Sequence, residues 1–149
     1  MIDMVMKLNI SDKGKAYKLE MEPEELSGKA VGEIVQGKDI NADLEGYELE
    51  ITGGTDFAGF PLKKDVEGIG LKRVLLTKGW GMHKRPKGNK KRITQPDGLR
   101  LRKTVRGKVL SEKVVQVNMN VLKYGGKKLE DIFKKEEPKA EEGSQDEQK

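Results

Sequence analysis

Alternating apolar and polar residues predict short β-strands over much of the chain. Residues 6–10 alternate in this way, residues 17–21 repeat the pattern, and Asp12-Lys13-Gly14 lies between them. A period of two places the apolar side chains on one face of a strand. Because Asp and Gly are typical of tight turns, the two runs predict a β-hairpin.

Three further segments show strand patterns. Residues 47–51 alternate and are predicted to end at Gly53-Gly54, which would form a turn. Residues 73–77 form a short apolar run of the kind found in buried strands. Residues 115–121 alternate most regularly, with valine and methionine set against glutamine and asparagine.

A long segment without periodicity separates two of these strands. Between residues 78 and 98, Gly, Pro, Lys and Arg predominate, which predicts an exposed loop that closes at Pro96-Asp97-Gly98. Leucine and arginine then alternate over residues 99–102. A strand there would direct its leucines inward and its guanidinium groups outward.

Helical signals are few. Residues 23–26 predict one turn with Pro at its first position, and the spacing of Leu129, Ile132 and Phe133 predicts a short amphipathic helix. We therefore expect a mainly β domain over residues 1–124, a short helix over 125–135 and a disordered acidic tail over 136–149.

Composition narrows the class of protein. A chain of 149 residues supports one domain. The absence of cysteine excludes disulfides, thiolate metal sites and thiol nucleophiles. No apolar run approaches the roughly 18 residues of a membrane helix, and no signal-peptide pattern is present, so we expect a soluble, cytoplasmic protein without a membrane partner.

Charge is distributed unevenly. Residues 63–108 carry 16 Lys and Arg against 3 Asp and Glu, whereas residues 1–62 carry 6 against 13. A segment with a net charge of +13 repels itself unless a polyanion neutralises it, and a nucleic-acid backbone is the commonest such partner. A single cluster such as residues 90–92 is equally compatible with a solvated surface run.

Three motifs together point to a known family. They are Met6-Lys7-Leu8-Asn9-Ile10-Ser11, the more specific Ile51-Thr52-Gly53-Gly54-Thr55-Asp56-Phe57-Ala58-Gly59-Phe60-Pro61, and Arg102-Lys103-Thr104-Val105-Arg106-Gly107, which a strand over residues 114–122 follows. Over residues 6–124 the chain resembles the small-subunit ribosomal protein six-e family of archaea and eukaryotes. Leu62 stands where that family usually has Met, a change of similar volume.

The resemblance implies a small β-barrel-like single domain with a long basic loop. It would bind small-subunit ribosomal RNA in the cytoplasm, lie against neighbouring ribosomal proteins, and support translation without catalytic activity, cofactor or small-molecule substrate. The resemblance is to the short archaeal type of that family. It ends in an acidic tail and lacks the basic helix and serine-rich end of eukaryotic members, so the regulation of those members by phosphorylation is not inferred.

The candidate RNA-binding residues are the cations and rings of the basic segment, and Arg102 and Arg106 are the first choices because a guanidinium group matches phosphate bidentately. The full set is Lys63, Lys64, Lys72, Arg73, Trp80, His83, Lys84, Arg85, Lys87, Lys90, Lys91, Arg92, Arg100, Arg102, Lys103, Arg106 and Lys108.

Trp80 and the pair Gly53-Gly54, which lies outside this set, each have a structural alternative to RNA binding. Gly53-Gly54 would either form an anion-binding nest or a turn held by the Asp56 side chain, and the turn is favoured. Trp80 would either stack on an unpaired base or cover one end of the domain. His83 is the only histidine, which excludes a multi-histidine metal site.

Two other functions remain compatible with the sequence. A free-standing RNA chaperone or translation factor would visit ribosomes transiently and would leave them in a salt wash. A scaffold for acidic proteins would keep its partners after nuclease treatment. Neither alternative requires catalytic residues, and we expect none.

Overall fold

The computed structural model describes residues 5–84 and 95–134. Seven strands and one α-helix are present there, with three short 3-10 helices between the second and fourth strands. The strands are β1 (Met6–Asp12), β2 (Lys15–Met21), β3 (Ile34–Gln36), β4 (Glu48–Asp56), β5 (Leu71–Thr77), β6 (Arg100–Arg106) and β7 (Val114–Lys123); the helix is α1 (Leu129–Lys134), and the 3-10 helices are Pro23–Leu26, Gly37–Asp39 and Ala42–Leu44.

The predicted amino-terminal hairpin is confirmed. Strands β1 and β2 pair antiparallel, with Met6 opposite Met21 and Asp12 opposite Lys15. Lys13 and Gly14 form the two-residue loop, and their φ angles are 45° and 83°. A type I′ hairpin turn requires positive φ at both central residues, so this turn fixes the register of the pair.

Five strands form the main sheet in the order β2-β1-β7-β4-β3. Strand β7 pairs parallel with β1, with Leu8 opposite Val117, and antiparallel with β4. The first and last strands of the chain therefore lie next to each other in the interior of the sheet, and β2 and β3 form its edges.

The main hydrophobic core covers one face of this sheet. Leu8, Ile10, Leu49, Val117 and Met119 are 0% exposed. Burying each such side chain stabilises a fold by about 1.5–3 kcal/mol. The side of the core away from the sheet is formed by apolar side chains of the connecting segments and of the helix: Leu26, Leu44, Leu110, Leu129 and Ile132.

The mainly β prediction is confirmed, but the barrel-like closure is wrong. Among the described residues neither sheet closes on itself, because the edge strands β2 and β3 do not pair with each other. Strand β3 has only three residues. The core is covered by 3-10 turns, loops and a helix, so closure by strands is not needed to exclude water from it.

Strand β4 is longer than predicted. It continues through Gly53-Gly54 to Asp56, with a register shift between Ile51 and Gly53. Neither glycine has a positive φ, so the predicted turn at this position is wrong. A Cβ atom on Gly54 would lie 2.5 Å from the carbonyl oxygen of Gln116. The glycine is therefore required by the close approach of β7.

Strands β5 and β6 form a separate two-stranded antiparallel ribbon. Its small core contains Val66, Leu76, Met82 and Val105. Residues 73–77 are a strand, as predicted, but that strand is not buried, since only Leu76 of the five is. A ribbon covered on a single face leaves its alternate residues in solvent.

The predicted carboxy-terminal helix is observed as α1, and its buried Leu129 and Ile132 join the main core. The predicted acidic tail over residues 136–149 lies outside the described residues. In the described part of the chain no helix is both long and apolar enough to cross a membrane.

Candidate nucleic-acid interface

The outer face of the β5–β6 ribbon carries the most accessible cations of the basic segment. Directly opposed residues in an antiparallel pair project from the same face. Arg102 lies opposite Leu75, Arg100 lies opposite Thr77, and Arg73 lies two residues before Leu75 on the same strand. All five are exposed. We call Arg73, Arg100 and Arg102 the arginine face.

The inner face of the ribbon packs on its small core. Leu99 and Leu101 contact that core and are half-buried, so the predicted division of leucines inward and arginines outward is confirmed. Lys103 also lies on the inner face, opposite Val74. Its Nζ donates to the carbonyl oxygen of Gly81 at 2.9 Å, which ties β6 to the segment that follows β5.

Every carboxylate of the basic segment is paired with a lysine. The pairs are Asp65 with Lys63 at 3.0 Å, Glu67 with Lys108 at 2.7 Å, and Asp97 with Lys78 at 2.7 Å. The hydrogen bond from Lys78 lowers the pKa of Asp97 below its usual value. Within the described ranges, the three residues of the arginine face make no ion pair, so their charge remains available to an external anion.

Arg106 is used differently from the other arginines. It is 5% exposed, and its Nε donates to Oδ2 of Asp56 at 2.8 Å, while Nη1 donates to the carbonyl oxygen of Ile69 at 3.0 Å. The expectation that Arg106 is one of the first phosphate contacts is therefore not supported. The physical reason is that a guanidinium group enclosed with its own carboxylate has no face left for an external phosphate.

Asp56 connects the two sheets. Its Oδ1 accepts hydrogen bonds from the backbone N–H groups of Ala58 and Phe60, at 2.9 and 2.8 Å. The expected bond from the Asp56 side chain to the backbone is thus present, although it holds the turn after β4 rather than one at Gly53-Gly54. Since Oδ2 is occupied by Arg106, one carboxylate holds both this turn and the end of β6.

Trp80 lies beside the ribbon and is 50% exposed. The Lys63 ammonium lies 4.8 Å from the centre of its ring, a cation–π contact. The ring is not a member of either hydrophobic core, so it does not close one end of the domain. Half of its surface remains accessible for stacking.

Gln95 connects the two described parts of the long loop by hydrogen bonds. Its Nε2 donates to the carbonyl oxygens of Met82 and Lys84, at 2.7 and 3.1 Å. Residue 95 therefore lies next to residues 82 and 84. His83 and Lys84 are exposed. The predicted contacts Arg85, Lys87, Lys90, Lys91 and Arg92 lie outside the described residues.

Two further predicted lysines lie where the ribbon joins the main sheet. Lys64 is exposed, and its Nζ lies 3.1 Å from the place that a Cβ on Gly32 would occupy. Lys108 is half-buried beside Glu67. Lys72 is exposed at the start of β5. The candidate residues thus extend along the ribbon from its root to residue 84.

The sequence did not predict the exposed apolar residues that accompany the arginines. Ile69, Leu71 and Leu75 are 49%, 47% and 51% exposed. Only the pairing register shows that Leu75 lies opposite Arg102. No cluster of three or more His, Cys, Asp or Glu side chains suitable for a metal ion is found in residues 5–84 and 95–134.

Comparison with known proteins gives a consistent result. Residues 6–134 match the model of a family described as ribosomal protein S6e. The chain is 41% identical over 132 residues to "Small ribosomal subunit protein eS6" of Nanoarchaeum equitans, covering 87% of this chain and 90% of that protein. It is 39% identical over 139 residues to the protein of the same name from Archaeoglobus fulgidus, covering 90% and 99% respectively.

Proposed function

Because this chain belongs to the ribosomal protein S6e family, we propose that it is a structural constituent of the small ribosomal subunit that binds ribosomal RNA through its arginine face. Its assignment to the small ribosomal subunit rests on the names of its relatives. The family is one of structural ribosomal proteins, so the predictions of a non-catalytic protein acting in translation, on cytoplasmic ribosomes, are confirmed.

One observation supports the arginine face as the RNA-binding surface. The three carboxylates of the basic segment are each neutralised by a lysine, whereas Arg73, Arg100 and Arg102 are exposed and make no ion pair in the described part of the chain. A set of unpaired guanidinium groups on one ribbon face repels itself until an anion binds, and phosphate accepts two parallel hydrogen bonds from each guanidinium.

The geometry favours recognition of backbone and shape. Double-stranded RNA hides its base edges in a deep, narrow major groove, and contacts to phosphate position a protein without reading sequence. Leu71 and Leu75 lie among the arginines, where they would contact sugars between successive phosphates. Trp80, with half of its ring exposed, would stack on an unpaired base.

The remaining candidates extend this surface. Lys64, Lys72, His83 and Lys84 are exposed along the same ribbon and its root, and the predicted contacts Arg85, Lys87, Lys90, Lys91 and Arg92 would add five more cations. Lys63, Lys103 and Lys108 already have partners within the protein, so each would have to share its ammonium group with phosphate. Neighbouring ribosomal proteins would contact other surfaces.

Paired neutralising substitutions test the arginine face. We expect Arg100→Gln with Arg102→Gln to weaken binding to a small-subunit ribosomal RNA fragment and to reduce the slope of log K against log salt by about 1.4–1.8, which is two phosphates at roughly 0.7–0.9 each. The matched control is Lys7→Gln with Lys18→Gln, which removes the same charge from exposed positions of the main sheet. Equal slopes in the two variants would contradict the proposal.

Sedimentation separates this function from a transient one. A structural constituent remains at one copy per small subunit through a high-salt wash and leaves when ribonuclease degrades the RNA. A translation factor that visits ribosomes would appear instead in the wash. A protein scaffold would keep its partners after ribonuclease treatment.

A further inference from the structure

A concave surface lies at the end of the main sheet opposite the ribbon. Strand β7 begins at Val114, next to the turn that leads to the ribbon, and ends at Lys123. Nine steps of about 3.3 Å along a strand separate these ends by roughly 30 Å. The surface at the far end is therefore independent of the arginine face.

All three tyrosines of the chain line this surface, which has a volume of about 650 Å³. We call it the tyrosine groove. It is formed by the β1–β2 turn, the start of β4 and the segment that joins β7 to α1; its lining residues include Tyr17, Tyr47, Tyr124, Lys13, Lys128 and Gly126. Ligand sites in proteins commonly have volumes of roughly 300–1,000 Å³.

The Tyr47 and Tyr124 rings are held in place by hydrogen bonds that their hydroxyl groups donate. The Tyr47 hydroxyl donates to the carbonyl oxygen of Lys127, and the Tyr124 hydroxyl donates to Oδ1 of Asp12 at 2.5 Å. The two rings meet edge to face at 6.2 Å. Tyr124 is nevertheless 52% exposed. The groove therefore offers a fixed ring face to a ligand, with the hydroxyl groups already occupied.

Four lysines line the groove. The Nζ of Lys13 lies over the Tyr124 ring, 5.0 Å from its centre, in a cation–π contact. Lys15 and Lys127 also line the groove, but they pair with Glu130 and Asp43. Lys13 and Lys128 make no ion pair within residues 5–84 and 95–134, so two ammonium groups at the rim have no carboxylate partner there.

We propose that the tyrosine groove binds one unpaired nucleotide of an RNA strand, with its base against the Tyr124 ring in place of the Lys13 ammonium and its phosphate between Lys13 and Lys128. An exposed aromatic face beside unpaired cations is the combination that single-stranded nucleic acid requires, since the base stacks and the phosphate is neutralised. An acidic peptide would use the cations but not the ring. This inference deepens the proposed RNA binding and rests on it for the identity of the polymer.

The test uses the full chain and a short, fluorescently labelled oligoadenylate as the probe. We expect Tyr124→Leu to weaken its binding by about 5- to 150-fold, the range that loss of one base–aromatic stack gives. Tyr124→Phe keeps the ring and loses only the hydroxyl bond, so it should retain most of the affinity. A thermal melt of both variants shows that each is folded.

A second arm separates stacking from charge. An oligomer of the same length with abasic residues should bind more weakly than oligoadenylate, and a glutamate peptide of equal charge should compete poorly. If the abasic oligomer binds equally well, or the peptide competes as well as RNA does, charge alone governs the groove and the proposal is overturned.

The arginine face supplies the last control. Arg100→Gln with Arg102→Gln should impair binding of the long ribosomal RNA fragment while Tyr124→Leu impairs binding of the short oligomer. If the arginine variant acts as expected but Tyr124→Leu leaves the oligomer affinity unchanged, the groove proposal alone fails. If only the tyrosine variant has an effect, the groove stands and the arginine face is wrong.

Discussion

Asp56 and Arg106 belong to two separate sequence motifs and meet in the interior of the protein. Their side chains are 0% and 6% exposed and are joined by a 2.8 Å contact. A buried guanidinium requires a charged partner, since an isolated charge in the protein interior is strongly unfavourable. The motifs therefore owe part of their pattern to internal pairing rather than to RNA.

Replacing Asp56 with Asn tests this pair. The amide keeps an acceptor oxygen for the turn but leaves the Arg106 charge without a counterion, so the free energy of unfolding should fall by about 3–5 kcal/mol. Urea denaturation measures the change. The control Asp65→Asn removes an exposed carboxylate that pairs with Lys63, and its effect should stay below about 1 kcal/mol. Similar losses in the two variants would show that the buried pair has no special role.

A second prediction concerns the pair Gly53-Gly54. A Cβ on Gly53 meets nothing within 4 Å, whereas one on Gly54 would contact the Gln116 carbonyl oxygen at 2.5 Å. Gly54→Ala should therefore destabilise the fold by about 1–3 kcal/mol through overpacking. Gly53→Ala should be neutral or slightly stabilising, because it reduces the entropy of the unfolded chain. Denaturation midpoints that move equally would contradict the close approach.

At the scale of elements, the ribbon differs from the main sheet in how much it buries. Its core has four buried residues, whereas the main core has seventeen. A two-stranded ribbon is marginally stable by itself, and here Asp56 and Arg106 attach it to the sheet. The ribbon is thus held at its root and presents its arginines at a distance from the main core.

Substitutions of two adjacent leucines on β5 distinguish an effect on stability from an effect on RNA binding. Leu76 is 5% exposed and Leu75 is 51% exposed. Leu76→Ala should lower the free energy of unfolding by about 2–5 kcal/mol by leaving a cavity. Leu75→Ala should leave stability within about 0.5 kcal/mol of the original and should weaken RNA binding. Denaturation and an RNA titration on both variants test this. The proposed interface is wrong if Leu75→Ala has no effect on affinity.

At the scale of the whole molecule, charge opposes the compact state of the free protein. Residues 63–108 hold sixteen positive charges, and the carboxylates of that segment neutralise only three of them. Such a concentration of one sign destabilises the fold through self-repulsion. Bound RNA would remove that repulsion, so stability and binding are linked.

Salt should therefore act in opposite directions on the free protein and on the complex. The Debye length falls from about 10 Å at 0.1 M to about 3 Å at 1 M, so the melting temperature of the free protein should rise with sodium chloride. RNA affinity should fall over the same range, because the release of counterions from RNA is less favourable at a higher salt concentration. Parallel melts and titrations measure both. A melting temperature that falls with salt would contradict the repulsion.

The sequence alone determined much of the local structure. The amino-terminal hairpin, the strand over residues 115–121, the carboxy-terminal helix and the outward arginines of β6 all follow from periodicity and turn chemistry. These features depend on neighbours close in the chain. The family also followed from short motifs, and the comparisons confirm it.

Tertiary structure decided the rest, because long-range pairing leaves no local pattern. The parallel contact of β1 with β7 joins residues more than a hundred positions apart. The pairing of β7 with β4 brings β7 against Gly54, and the sheet is open because its edge strands β2 and β3 do not pair with each other. The burial of Arg106 has the same origin. Alternation identifies the arginine as polar, but it cannot show that Asp56 lies next to it in the folded protein. The grouping of three tyrosines at one end of the sheet also depends on which strands end there.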